Sequence, residues 1–277
     1  MNTTQTHTPP RPTPPTTMRV VCGVDASHAD EAAVREACEL AGAQGHVALV
    51  CVIYASGAGL TAQATIEPSR ASEALERAMK QARTAGVPSS VYLLRSPHPS
   101  DAVVRAAADG DMLVVGTHGV SRAGGIALGR VATTALHRAS VPVLVARPRP
   151  DEGKQSILFA SDGSPASDRA CKYAASIAAR TGATVTLFTA GHDDPGMRHA
   201  ISVQAADLRE ATGLEPTIAT GVGKPADAIV EAATAIGASM VIVGSHGRTG
   251  LRALGSVSEQ VAHRAPCSVL VVRPPAG

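Results

Sequence analysis

Aromatic side chains are nearly missing from this chain: its 277 residues include three Tyr, two Phe and no Trp. Stacking platforms for single-stranded nucleic acid need aromatic faces, so that class of binder is not expected. Charge of one sign is also lacking. Lys and Arg number 25 against 23 Asp and Glu, a net charge of +2, too balanced for a protein that grips a phosphate backbone. No apolar run reaches the ~18 residues of a membrane span. The amino terminus has no apolar central region and so does not read as an export signal. The five cysteines are odd in number and contain no CxxC pair. Most sit in apolar patterns, where a thiol acts as a small hydrophobe. A reduced, cytoplasmic setting without disulfides or a zinc site is expected.

What is present begins with residues 1–17, MNTTQTHTPPRPTPPTT, a Thr/Pro tract expected to be an extended, disordered tail. The chain as a whole is 44% hydrophobic and 17% charged, suited to cores of Ala, Val, Leu and Ile under closely packed helices.

The chain then repeats itself. VVCGVDAS (Val20 to Ser27) returns as ILFASDGS (Ile157 to Ser164), and MLVVGTHG (Met112 to Gly119) as MVIVGSHG (Met240 to Gly247). PSDAVVRAA at Pro99 returns as PADAIVEAA at Pro225, an offset of 225 − 99 = 126. HRASVPVLVARP at His137 returns as HRAPCSVLVVRP at His263, again an offset of 126. A period this long marks a duplicated domain, not a solenoid. The expected division is a domain over 18–148, a polar Pro-containing linker over 149–153 and a second domain over 154–274.

Within the second copy, SILFAS, TVTLFTA, PTIAT, MVIVG and SVLVV read as strands. Pro165 and Pro225 open helices, and Met197 to Thr212 and Ser256 to Arg264 have helical patterns. Five apolar strands alternating with four helices predict a doubly wound α/β domain with a parallel sheet covered on both faces, Rossmann-like in architecture. Such sheets bind ligands beyond the strand carboxyl ends, at the topological switch point.

The repeated polar loops fall at those ends. Gly244 and Gly247 follow a buried strand, and Gly255-Ser256 opens the next helix. Glycines let backbone N–H groups approach an anion. The Ser256 hydroxyl and the unpaired N–H groups of a helix start add a phosphate-sized site. Connection glycines would use the same spacing; position and repetition favour phosphate.

On these blocks, over Met18 to Arg273, the chain resembles the universal stress proteins, and specifically their tandem, two-domain members. The resemblance implies five parallel strands per domain, related to the adenine nucleotide alpha hydrolases, and binding of ATP or a related adenine nucleotide in stress adaptation. In nucleotide-binding members a G-x2-G-x9-G-(S/T) block holds the phosphates, the Asp after the first strand lies by ribose and metal, and backbone at the second strand's end meets adenine. Carried onto the second copy, this implies Ser161 and Asp162, Ala190, and Val243, Gly244, His246, Gly247, Gly255, Ser256 and Val257. Carried onto the first, it implies Asp25, Val52, Gly116, Gly119, Gly129 and Arg130. The first copy keeps the spacing but has Arg130 where the hydroxyl belongs, and a guanidinium there either clamps phosphate or fills the pocket. The second copy keeps the hydroxyl, but its loop is two residues short, so it must either tighten or draw on the helix. The second copy also has a flexible Gly223-Lys224-Pro225 turn where the first has the stiffer Pro97-His98-Pro99. The second is ranked the better site.

Other motifs fall short. Gly221-Val222-Gly223-Lys224-Pro225-Ala226 fits a dinucleotide fingerprint but lacks the acidic residue ~20 positions on. Gly223-Lys224 is half a Walker loop, with Ile218 and Pro225 at its other required positions. His192, Asp193, Asp194 and His199 could gather on a metal, though loop polarity accounts for them. His118 and His246 either line the ligand or are solvated. Ser164 has no nucleophile elbow around it.

The expectation is therefore a tandem universal stress protein whose domains pack as an intramolecular pseudo-dimer, a further homodimer being left open. It binds an adenine nucleotide, with Mg²⁺ or Mn²⁺ following the phosphates, and takes neither nucleic acid nor membrane as partner. An interaction module that works through its surfaces is the alternative. A slow ATPase is the third reading, and no general base supports it.

Overall fold

The computed structural model describes residues 17–25, 30–54, 67–117, 128–149, 155–191, 195–245 and 254–273. The first half runs β1 (Arg19–Val24), α1 (Asp30–Ala41), β2 (His46–Tyr54), α2 (Pro68–Thr84), β3 (Ser89–Ser96), α3 (Pro99–Ala106), β4 (Met112–Gly116), α4 (Arg130–Arg138) and β5 (Val143–Ala146). The second repeats that order as β6 (Ser156–Ala160), α5 (Pro165–Thr181), β7 (Thr184–Ala190), α6 (Pro195–Thr212), β8 (Thr217–Gly221), α7 (Pro225–Ala235), β9 (Met240–Gly244), α8 (Ser256–Arg264) and β10 (Ser268–Val272). The strand and helix alternation read from the apolar runs is therefore the observed one.

Local chemistry sets the element ends. Pro occupies the first turn of α2, α3, α5 and α7, where its missing N–H costs nothing. Gly182 ends α5 in the left-handed region at φ +69°, which a Cβ would oppose.

All ten strands join one sheet, in the order β3-β2-β1-β4-β5-β10-β9-β6-β7-β8. Each half is parallel and doubly wound, with its order reversing between β1 and β4 and between β6 and β9. The halves meet at β5 and β10, which pair antiparallel, Leu144 opposite Leu270, with Val143 opposite Val271 and Val145 opposite Val269. Leu144 and Leu270 are equivalent residues of the repeat, so the central pair sits on a pseudo-twofold axis, the internal counterpart of an isologous dimer contact. Each half thus covers the strand edge that the other would otherwise leave open. One buried layer runs under α1, α2, α5 and α6 across both halves, and a second under α3, α4, α7 and α8.

Polar groups follow the same symmetry. Arg147, just past β5, donates to the Ala262 carbonyl at the end of α8 at 2.6 Å and to the Cys267 carbonyl at 3.1 Å. Its repeat partner Arg273 donates to the Leu136 carbonyl at the end of α4 and to the Ala139 carbonyl. Each half therefore caps a helix carboxyl end of the other, satisfying carbonyls that lack helical partners. On the opposite face the Arg147 N–H donates to Ser268 Oγ, which in turn donates to Glu36 Oε1, each at 3.0 Å. Burial pushes the Glu36 carboxyl up to about 7, opposed by the Arg149 guanidinium 3.9 Å away. Glu39, one turn on, accepts from Arg149 at 2.6 Å and from Gln155 at 2.9 Å, holding both described ends of the connection between the halves.

Candidate functional site

Beyond β6 the chain makes a compact turn. The Ser164 N–H donates to Asp162 Oδ1 and the Gly163 N–H to Ser161 Oγ, each at 3.1 Å. Gly163 sits at φ +70° with Met197 and Ala200 close by, a conformation and clearance suited to glycine. Ser164 then caps α5, its Oγ accepting from the Ser167 N–H at 3.3 Å. One carboxylate oxygen of Asp162 is thus spent on the turn, and the half-buried side chain stands at the strand's carboxyl end.

Gly244, which ends the neighbouring β9, lies against the first turn of α5. A Cβ there would stand 2.9 Å from the Ala166 carbonyl carbon and 3.0 Å from its Cβ. Only a residue without a side chain lets β9 and α5 approach this closely, which brings the Asp162 turn and the glycine loop together across the switch point. Val243 pairs with Ala160 in the ladder and is buried. Ala190 ends β7 beside them, paired with Gly221.

The loop leaves and returns through a closed neck. The Gly255 N–H donates to the Ser245 carbonyl at 2.7 Å, and the Ser245 N–H to Val272 at 2.9 Å. In the first half the Gly129 N–H donates to the Thr117 carbonyl, also at 2.7 Å. Both helices that follow have nine residues, α4 from Arg130 and α8 from Ser256. The two-residue difference between the copies is therefore absorbed inside the loop, and α8 gives up nothing. His118, Gly119, His246 and Gly247 fall outside the described residues, as do His192, Asp193 and Asp194; His199 lies on α6. Among the described residues no group of three or more His, Cys, Asp or Glu is placed to hold a metal.

At the neck the helix start is left open. Gly255 is the N-cap of α8 and offers no side-chain acceptor. The first helical bond runs from the Glu259 N–H to the Gly255 carbonyl at 3.0 Å, so the N–H groups of Ser256, Val257 and Ser258 precede the ladder. Ser256 is exposed, with its hydroxyl beside those donors, and Val257 is half-buried. Gly129 caps α4 in the same bare way, and Arg130 is exposed at its first position. Helix dipole and unpaired donors together favour an anion at both places. One residue escaped the sequence reading: Ser258 Oγ donates to the Gly244 carbonyl at 2.7 Å, tying α8 to the end of β9. The first half has Ala132 at that position. Spacing alone gave no signal for it, because the bond joins two segments across the loop.

The first half departs elsewhere. Asp25 is half-buried just past β1. Gly116 ends β4, paired with Ala146. Val52 is 7% exposed and ladder-paired with Leu94, and β2 continues to Tyr54. The second strand's end in this half is thus two residues beyond Val52.

Parallel strands and an order reversal in each half define a tandem Rossmann-like α/β protein, with a glycine-capped helix starting after the loop that follows β4 and after the loop that follows β9. The chain belongs to the universal stress protein family, whose model matches residues 16–147 and again 154–273. It is 29% identical to a universal stress protein of Mycolicibacterium smegmatis over 92% of this chain and 97% of that one. It is 32% identical to one from Thermus aquaticus over 43% of this chain and 98% of the relative. A universal stress protein from Archaeoglobus fulgidus superposes with a TM-score of 0.73 at 23% identity, covering 92% of this chain and 98% of that one, a likeness of fold. No helix among the described residues is long and apolar enough to cross a membrane.

Proposed function

We propose that the crevice at the carboxyl ends of β6, β7 and β9 binds ATP or a related adenine nucleotide, and that the protein acts by carrying it in stress adaptation. The observation that carries this reading is the start of α8, where a glycine cap leaves the N–H groups of residues 256–258 and the exposed Ser256 hydroxyl beside a closed loop neck. A triphosphate satisfies these donors. In this reading Asp162, which retains a carboxylate oxygen beyond its bond to Ser164, takes the ribose and a phosphate-bound Mg²⁺ or Mn²⁺, and Ser161, whose hydroxyl is spent on Gly163 and Ser167, contributes backbone. Ala190 and Val243 furnish backbone and an apolar wall for the base. The first half is the weaker crevice, because Arg130 replaces the hydroxyl and Ala132 removes the tie that Ser258 makes.

Titration calorimetry with ATP and Mg²⁺, followed by chromatography of the nucleotide, tests the reading. Binding with the nucleotide recovered intact is expected. No heat at millimolar ATP would replace it with a protein-interaction role for the same surfaces, and recovered ADP would make the protein a slow ATPase.

A further inference from the structure

The sheet ends in the first half at β3, whose eight residues pair on one side alone among the described residues, with β2. This edge carries few of the devices that blunt one. Strand β3 has no proline, its register with β2 runs without a bulge, and its one charge, Arg95, stands near its end. Val91, Tyr92 and Leu93, in succession, are each 43% exposed. At the opposite edge β8 has five residues, with Ile218 its single large apolar side chain.

The ladder decides what β3 offers. The Val47 N–H donates to the Pro88 carbonyl at 2.9 Å. In a parallel pair the even-numbered residues of β3 therefore turn N–H and C=O toward β2, and Val91 and Leu93 turn theirs to the open edge. Side chains alternate as well. Val91 and Leu93 lie beside Leu49 and Cys51, of the layer under α2, and Tyr92 beside Val50, of the layer under α3. Apolar side chains thus stand at the edge on both faces. A lone peptide strand brings nothing to cover them, whereas a partner with helices on both faces does, as the halves do for each other at β5 and β10.

Helix α2 adds charge to this edge. Its buried stripe is Ala71, Ala74, Leu75, Ala78 and Ala82, and Gln81 faces α1. At 3.6 residues per turn, Glu76, Met79 and Arg83 fall on the opposite flank, the side of β3, and Glu76 and Arg83 are exposed. An acid before Met79 and a base after it match a second α2 running the opposite way. Met79 lies about 7.5 Å of helix rise before Thr84, and Tyr92 about 10 Å of strand rise after Ser89, so the two centres stand at nearly one level.

We propose that two copies of this chain join edge to edge along β3, antiparallel, about a twofold axis at Tyr92. Each Val91 then exchanges both backbone hydrogen bonds with Leu93 of the second copy, Tyr92 faces Tyr92, and Glu76 meets Arg83 across the axis. Moving the axis to Leu93 would set Val91 against Arg95. The edge is self-complementary in backbone, apolar side chains and charge, and an isologous contact of this kind closes at two copies.

Sedimentation of the full chain at micromolar concentration tests this, with a species of twice the 28.0 kDa chain mass expected. Leu93→Lys, at an exposed site, should return the monomer. Glu76→Arg and Arg83→Glu should each raise the dimer dissociation constant roughly fivefold, since two exposed ion pairs are lost at once, and the double variant should restore it. All five cysteines are buried, so Tyr92→Cys adds an accessible thiol. Mild oxidation should link two such copies, because the axis brings these Cα atoms within about 4.5 Å, inside disulfide reach. Leu93→Cys should not link, since it faces Val91. A monomer at every concentration, an assembly larger than two, a dimer that Leu93→Lys leaves intact, or a double charge variant no tighter than the single ones would overturn the proposal. Linking through Leu93→Cys in place of Tyr92→Cys would overturn it as well.

Discussion

Ser256 stands at a helix start whose cap residue has no side chain, so in the proposed function its hydroxyl bonds the phosphate directly. A well-aimed hydrogen bond to a charged acceptor is worth about 1.5–3 kcal/mol. Ser256→Ala combined with Gly247→Val is therefore expected to remove most measured ATP affinity, and Gly119→Val little; calorimetry that returned the opposite order would make Arg130 the phosphate ligand. Glu36 supports a different prediction. Its pKa is raised from 4.5 to about 7, chiefly by burial, so the native state favours the protonated acid more than the unfolded chain does. The stability this contributes is complete below about pH 4.5 and is lost as pH rises through about 7. Over that window the loss amounts to up to about 3 kcal/mol. Glu36→Gln, which retains a partner for Ser268, should flatten the corresponding slope in urea titrations run between pH 5 and 8. A slope identical to that of the parent would dissociate it from Glu36.

At the scale of elements, the glycine at the end of β9 governs how near α5 can come. Gly244→Ala places a Cβ within 3.0 Å of Ala166 backbone and side chain, and such overpacking costs typically about 1–3 kcal/mol. A lowered melting temperature together with weaker ATP binding is expected, since the displaced helix carries the Asp162 turn; an unchanged melting temperature would contradict the close packing. Strands such as β9 and β10 were legible in the sequence because each is an unbroken apolar run closed by Gly or Arg. Helix α8 was legible because Gly255-Ser256 announces its start. The neck bonds between Gly255 and Ser245 and between Gly129 and Thr117 were not, nor was the tie from Ser258 to Gly244. Each of these joins residues about ten or more positions apart, and no local periodicity encodes such a pairing. Val52 is the ladder counterpart of Ala190, five residues past Val47 as Ala190 is five past Val185, and β2 runs two residues further before it ends.

For the whole molecule, the two buried layers cross the junction between the halves, and Arg147 and Arg273 exchange helix caps over it. Neither half can lose its core without uncovering part of the other's. One calorimetric transition is therefore expected, with van't Hoff and calorimetric enthalpies in agreement; two resolved transitions would mean that the junction is energetically slight. Because β5 and β10 run antiparallel, while every other neighbouring pair in the sheet is parallel, the carboxyl ends of the two sets of strands point in opposite directions. The molecule is accordingly two-headed: the strand carboxyl ends of the two halves, where the proposed function puts its ligands, leave one continuous sheet in opposite directions. If both ends bind, a ligand at one and a ligand at the other approach the sheet from opposite sides.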